Sequence, residues 1–199
     1  MSLIASDSGN GTRFEIIPED TYTAICCEVI DLGLQRNETY DKVQPKVLIG
    51  WELPELQVEI NGEPKPRIYT KQYTNSLNER ATLRKDLVAW RGKQFTEEEK
   101  RGFDVSKLLG VPCLLQIVHT KNGDRTYANL GGITKLPKNM EKPTPQMPQI
   151  RFDIDESPLS MIDDMPSWIQ DIIKESIEYK KRTGNFEELD DDEGGELPS

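Results

Sequence analysis

The chain has 199 residues, of which 35% are hydrophobic and 30% are charged, and its formal net charge is −10. This length predicts one domain, or one domain with an extension, and the polar composition predicts that part of the chain lies outside a packed core. No apolar run approaches the roughly 20 residues of a membrane span, and residues 1–11 lack the pattern of a signal peptide. We therefore expect a cytoplasmic protein that makes no use of a membrane.

The charge is unevenly distributed. Residues 12–138 carry 19 Lys and Arg against 18 Asp and Glu, whereas residues 139–199 carry 6 against 16. The first part is therefore close to neutral and has room for a basic face, which the net charge alone would hide. The acidic last third is either a solubilising segment or a segment with a binding role of its own.

In chain order, the pattern predicts three strands, a helix and two strands. The first strand covers residues 22–32, which are rich in β-branched and aromatic residues. The second covers about 43–53 and ends at Leu53-Pro54, and the third covers about 67–74. Asn61-Gly62 predicts the turn between them.

Helix signals follow the third strand. Residues 76–79 (SLNE) fit a capping box, so the helix is predicted to begin at Ser76. Leu83, Leu87 and Trp90 then share one helical face, and Gly92 is placed to end the helix. Residues 96–99 (TEEE) predict a second short helix by the same motif, and residues 104–109 predict one further turn.

The last two strands of the body are predicted at residues 111–120 and 125–135. They flank residues 121–124 (KNGD), and Asn-Gly between apolar strands favours a type I′ hairpin with positive φ at both central residues. Beyond them we predict a Pro-rich and acidic linker at 139–165, an amphipathic helix at 166–183 and an acidic disordered tail at 184–199. A lone helix of this length needs a surface, which could be its own barrel, a sister subunit or a partner.

Few residues could perform chemistry. The three cysteines include the adjacent Cys26 and Cys27, which predicts reduced thiols, and the single histidine, His119, lies on an apolar strand. No phosphate loop, nucleophile motif or metal-ligand spacing is present. We expect no enzyme, no catalytic residue, no cofactor and no metal, with a metal-dependent nuclease built on acidic pairs such as Asp163/Asp164 as an alternative.

The third strand carries the main binding prediction. Period two places Arg67, Tyr69, Lys71 and Tyr73 on one face, and alternating cations and rings suit the phosphates and bases of single-stranded DNA. The alternative is that both rings pack into the core while the cations reach its rim. The neighbouring loops add further candidate DNA-binding residues, namely Arg36, Tyr40, Lys42, Lys46, Lys121, Arg125 and Tyr127.

Three strands, one helix and two strands is the order of the OB-fold, a partly open five-stranded Greek-key barrel. We therefore expect a mainly β, OB-fold-like barrel at residues 12–138, with a helix between strands three and four. An acidic C-terminal extension containing one amphipathic helix would follow it.

This layout, with residues 87–93 (LVAWRGK) and 109–113 (LGVPC), resembles the OB-fold single-stranded-DNA-binding proteins of bacteriophages over about residues 14–136. The resemblance implies sequence-tolerant binding of single-stranded DNA in DNA replication or recombination, in the host cytoplasm. It also implies an acidic tail that docks replication or recombination proteins and competes with DNA. The candidate partner-binding residues are Asp163, Asp164, Pro166, Trp168 and Ile172.

A second acidic stretch, residues 187–193 (EELDDDE), lies near the chain end, which lacks the terminal aromatic residue of bacterial tails. Homo-oligomerisation and a preference between DNA and RNA stay open. The rival hypothesis is a non-enzymatic assembly factor that uses the barrel and the C-terminal helix without binding DNA.

Overall fold

The computed structural model describes residues 15–37, 39 and 42–185. Within these residues, five antiparallel strands form one sheet in the order β3-β2-β1-β4-β5, and a short sixth strand runs parallel to β1. The mainly β class is therefore confirmed. The strands are β1 Asp20–Asn37, β2 Lys42–Ile60, β3 Glu63–Thr74, β4 Pro112–Asn122, β5 Arg125–Lys135 and β6 Ile150–Phe152.

The predicted OB-fold-like barrel is not closed in the described residues, because β3 and β5 form the two edges of the sheet and no ladder joins them. Strand β1, with 18 residues, is the one that pairs with β2, β4 and β6. Residues 20–25 of β1 pair with β4 and residues 25–37 pair with β2, with irregularities in register near Cys26 and Gly33. A side chain spans the gap between the edges, since the Tyr69 hydroxyl is hydrogen-bonded to the Leu130 backbone.

The two Asn-Gly pairs form different turns. Asn61 and Gly62 both have positive φ, at 54° and 80°, so the β2–β3 hairpin is the type I′ turn. In the β4–β5 hairpin, Asn122 pairs with Arg125, and of the described loop residues only Gly123 has positive φ, at 62°. The prediction of a type I′ turn at Asn122-Gly123 is wrong, because the ladder extends one residue further and Gly123 becomes the first residue of the loop.

Helix α1, Thr82–Arg91, lies between β3 and β4. The predicted start at Ser76 is wrong. The Ser76 hydroxyl accepts from the Asn78 N–H at 3.2 Å and closes a local turn, which competes with a helix at this position. The predicted apolar face is confirmed, since Leu83, Leu87 and Trp90 are buried, and Gly92 ends the helix with φ at 67°.

The short helix α2, Glu97–Arg101, has the predicted capping box. The Thr96 side chain accepts from the Glu99 N–H, and the Glu99 carboxylate accepts from the Thr96 N–H. A 3-10 turn at Val105–Leu108 follows and leads into β4.

The first hydrophobic core lies between the inner face of the sheet and α1. Its centre is aromatic: the Trp51 ring lies 6.2 Å from Tyr69 and 5.7 Å from Trp90 between centroids. The Trp90 indole N–H donates to the Pro112 carbonyl at 3.1 Å, which joins α1 to the start of β4. Period-two burial on the strands and i, i+4 burial on the helix converge on this cluster.

A second core covers the outer face of β1 and β2. Ile30, Leu32 and Leu48 of the sheet pack there against the C-terminal segment, which includes Phe152 and Ile173. The predicted helix is in fact two helices, α3 Ser167–Lys174 and α4 Ile177–Arg182, and Ser176 caps the second. The sequence left three possible surfaces for this helix, namely its own barrel, a sister subunit or a partner. In the structure the helical segment packs on the sheet of its own chain.

Polar contacts fasten the C-terminal segment to the sheet. Glu52 is fully buried, and its Oε1 and Oε2 accept from the Gln146 and Met147 N–H groups at 2.8 and 2.7 Å. Farther along β1, the Leu34 N–H donates to Glu178 Oε2 at 2.8 Å.

Residues 139–149 of the predicted linker contain no helix or strand and are held to the body by the Glu52 carboxylate. Residues 150–165 do not form a linker, since they contain β6 and a 3-10 turn and contribute Ile154 and Ile162 to the second core.

Candidate nucleic-acid interface

The end of the β1–β2 hairpin is basic. Arg36 and Lys42 are exposed and lie within one residue of each other across the ladder, because Arg36 pairs with Val43 and Asn37 pairs with Lys42. Val43 is 43% exposed beside them and offers an apolar contact that the sequence analysis missed. The sequence did offer one indication that Val43 is exposed: it lies next to a polar hairpin, where a core residue is not expected.

Two other predicted residues of this region differ in accessibility. Tyr40 lies outside the described residues. Lys46 is half-buried, and its Nζ donates to Thr74 Oγ1 at 2.8 Å and to Gln44 Oε1 at 3.3 Å. Lys46 therefore ties β2 to the end of β3 and presents only part of its charge to a ligand.

The β4–β5 hairpin carries the most accessible of the predicted aromatic rings that the structure describes. Tyr127 is 41% exposed and lies opposite Thr120 in the ladder. Arg125 precedes it by two residues and so shares its face of the strand, and Lys121 is exposed on the adjoining strand. Lys121 pairs with Thr126, whose side chain alternates with those of Arg125 and Tyr127, so Lys121 projects from the opposite face of the hairpin. The Tyr127 ring therefore shares its face with one cation, Arg125, which suits a base with an adjacent phosphate.

The row on β3 faces the first core. Tyr69 is 8% exposed and packs on Trp51, and Tyr73 is 4% exposed. Burial raises the pKa of both phenols, and the neighbouring Asp86 carboxylate raises the pKa of Tyr73 further. In this fold neither ring presents a face to a base. The prediction that Tyr69 and Tyr73 stack on bases is therefore wrong in this fold, and both rings pack in the core, as the alternative had it.

The two cations of that row are also engaged within the protein. Lys71 Nζ lies 2.8 Å from Asp86 Oδ2 and 4.8 Å from the centroid of the Tyr73 ring. An Arg67 guanidinium N–H donates to the Glu15 carbonyl at 2.7 Å, and burial lowers the pKa of this guanidinium. Lys71 thus joins β3 to α1, and Arg67 joins β3 to the residues that precede β1.

The register fixes the relative position of the two basic hairpins. The β1–β2 hairpin follows the end of β1, whereas the β4–β5 hairpin extends beyond the start of β1, since Asp20 pairs with Ile117. The two hairpins therefore lie at opposite ends of β1. They do not form one cluster, and a ligand that touches both must run along the sheet.

The predicted partner-binding residues divide into two groups. Asp163 and Asp164 end the 3-10 turn Leu159–Asp164, Pro166 directly precedes α3, and all three are exposed. Trp168 and Ile172 are half-buried and pack against the second core. The acidic stretch at 187–193 lies outside the described residues.

The remaining reactive groups are built into the structure. Cys26, Cys27 and Cys113 are buried free thiols, and burial raises the pKa of each. His119 Nε2 lies 2.8 Å from the Ile17 carbonyl oxygen, at the edge of the first core. Among the described residues, no group of three or more His, Cys, Asp or Glu side chains is arranged to hold a metal ion.

Another acidic pair of the C-terminal third, Asp153/Asp155, belongs to a local turn. Asp153 Oδ1 accepts from the Asp155 N–H at 2.9 Å and so caps a tight turn. The carboxylates that a nuclease would need are thus partly used in local structure.

Comparison with known proteins adds no family. A scan against models of protein families, a search of the curated proteins and a search of the solved structures each found no match. In the part of the chain that the structure describes, no helix is long and apolar enough to cross a bilayer.

Proposed function

We propose that this protein is an OB-fold-like single-stranded-DNA-binding protein that acts in DNA replication or recombination, in phage biology by the resemblance of its sequence. The observation that carries the proposal is the connectivity: strands ordered β3-β2-β1-β4-β5, with a helix between β3 and β4. In the OB-fold the same connectivity presents a ligand face on strands two and three, flanked by the one–two and four–five loops.

The β1–β2 and β4–β5 hairpins correspond to those two loops, and both carry exposed basic residues. Tyr127 supplies a ring for one base, and stacking of this kind contributes about 1–3 kcal/mol per base. Stacking on a ring and contacts to phosphates do not distinguish one base from another, so binding is expected to tolerate any sequence. The phosphate contacts we propose are Arg36, Lys42, Lys46, Lys121 and Arg125.

The C-terminal segment limits the surface left for DNA. It covers the outer face of β1 and β2 through Ile30, Leu32 and Leu48, all of which are buried. A strand of DNA is therefore proposed to contact the hairpins and the outer side of β3, where Thr70 and Gln72 keep some exposure.

Fluorescence anisotropy of a labelled oligo-dT with the full chain tests this proposal. If about five phosphates are neutralised, log K falls with log salt with a slope of roughly −3.5. Lys121→Glu should weaken binding and make the slope shallower, whereas Lys85→Glu, an equal change of charge on the exposed side of α1, should have a smaller effect. Absence of binding at low salt would contradict the proposal.

One observation favours the assembly factor as a second candidate. The cations Lys71 and Lys46 are engaged by Asp86 and Thr74, so the body offers fewer basic groups to DNA than its sequence suggests. Co-purification of a partner that persists after nuclease treatment, together with no affinity for oligo-dT, would support this candidate.

A further inference from the structure

A cavity of about 390 Å³ opens beside the end of α1, away from both basic hairpins. Its walls are mainly apolar and come from three separate parts of the chain, with Trp90 from α1, Val111 and Pro112 before and within β4, and Met140 after β5. Among the described residues, Met140 is one of the few large apolar side chains with substantial exposure, at 39%. A volume and lining of this kind are typical of sites that take an apolar group.

The rim of the cavity is basic. Arg91, Lys93, Lys135 and Lys138 line it, and no Asp or Glu is among the lining residues. The three lysines are exposed, and the stem of Lys135 passes Gly92 at the end of α1. The site therefore favours a ligand that combines an apolar group with several negative charges.

Arg91 is the least exposed residue of the basic rim. Its guanidinium lies 4.3 Å from the Phe95 centroid and 5.0 Å from that of Phe103, and Nη2 forms an ion pair with Glu99. Nη1 is buried and has no hydrogen-bond partner among the described residues. Since Nη1 is closed to solvent, Arg91 contributes to the rim through its charge, and direct contacts with a ligand fall to the three exposed lysines.

The chain itself contains a segment with the matching chemistry. Residues 186–199 carry seven Asp and Glu and no Lys or Arg, together with Phe186, Leu189 and Leu197. They follow Asn185, the last described residue, and 14 residues can extend over about 45 Å. Charge complementarity identifies this segment as the occupant, and its length sets the upper limit of its reach from Asn185.

We propose that the acidic segment 186–199 docks in the cavity of its own chain, with an apolar side chain in the cavity and carboxylates on the basic rim. The site is separate from the proposed DNA contacts. Lys135 and Arg125 stand at opposite ends of β5, an 11-residue strand about 30 Å long. The segment would therefore occupy a surface of its own, in contrast to the direct competition with DNA that the family resemblance implies.

Amide chemical shifts of the full-length protein test the proposal without DNA. The native chain is compared with a full-length variant in which the seven acids become Asn or Gln. Docking predicts shift differences centred on residues 91–93 and 135–140. The triple variant Lys93→Glu, Lys135→Glu, Lys138→Glu should lose the native shifts of the tail, whereas Arg80→Glu with Lys85→Glu should keep them.

Adding the free peptide 186–199 to the neutralised full-length variant should restore the shifts at the cavity. The triple charge reversal should weaken this binding by roughly tenfold or more. Differences confined to the two basic hairpins, or none at the cavity, would overturn the proposal. Native shifts that change with protein concentration would also overturn it, since they would mean that the segment docks on a second copy.

Discussion

The two faces of the β1–β2 pair are covered by parts of the chain that lie at very different distances in sequence. The inner face packs on β3 and α1, and Trp51 meets Trp90 there. The outer face packs on residues 150–179. The buried Glu52 binds the backbone just before that segment, through the Gln146 and Met147 amides about 95 residues away. The comparison shows that local sequence patterns predict a core built from elements that are close in sequence. The C-terminal segment that covers the outer face is held by contacts between residues far apart in sequence, and no local pattern predicts these contacts.

The largest expected effect tests whether the second core stabilises the fold as the first does. Ile173 is fully buried on the outer face, so Ile173→Ala should lower the free energy of unfolding by about 2–5 kcal/mol. Leu87→Ala in the first core is the matched control and should cost a similar amount. Urea unfolding measures both, and an unchanged midpoint for Ile173→Ala would show that the cover is not part of the folded unit.

The buried carboxylate should matter next. Glu52→Gln replaces one acceptor oxygen by a donor and leaves the Gln146 or Met147 N–H unpaired, at a cost of about 2 kcal/mol. The two amides should also exchange with solvent faster. Glu59→Gln, at an exposed position of the same strand, should change stability by less than about 0.5 kcal/mol. Equal effects of the two variants would contradict the role of Glu52.

Two glycines allow the steric effect of the C-terminal segment near β1 to be measured separately from the cost of positive φ. Gly33 and Gly123 both have positive φ, so alanine costs about 1 kcal/mol at either position from conformation alone. A Cβ at Gly33 would lie 2.7 Å from Ser176 Cβ, whereas at Gly123 nothing lies within 4 Å. Gly33→Ala should therefore lower the melting temperature more than Gly123→Ala. The reverse order would place α4 elsewhere.

The smallest effect is a pH dependence on the outer face. Burial raises the pKa of the Glu28 carboxyl, so folding disfavours its ionised form. The corresponding stability is present below the unfolded pKa and is lost as pH rises through the folded pKa. Glu28→Gln should thus stabilise the protein at neutral pH but not in acid, as urea unfolding at both pH values would show. A loss of stability at neutral pH would contradict this.

The elements of the body were largely predictable, whereas the identity of their faces was not. Period two correctly grouped Tyr69 with Tyr73, but it cannot say which side of a strand faces the core. Trp51 marks its own side as internal, and Glu52 beside it reads as solvent-facing until the C-terminal segment covers it. The capping motif at Ser76 also misled, because the same side chains form a local turn.

The candidate site was predictable only in part. The exposure of cations beside the hairpins, such as Arg36 and Lys121, was predictable because turn signals in the sequence place them in loops. The cavity beside Trp90 joins three segments and has no local pattern. Its basic rim becomes visible only when the end of β5 is placed against the end of α1.

The most direct test of the DNA-binding account is the dissociation constant for oligo-dT of the native protein, Tyr127→Ala and Tyr127→Phe. The account predicts measurable binding at low salt. Loss of the ring should weaken it by about 5- to 150-fold, which corresponds to the stacking of one base, and Phe should retain native affinity. Native affinity in Tyr127→Ala would contradict the proposed interface, and no binding by the native protein would contradict the proposed function.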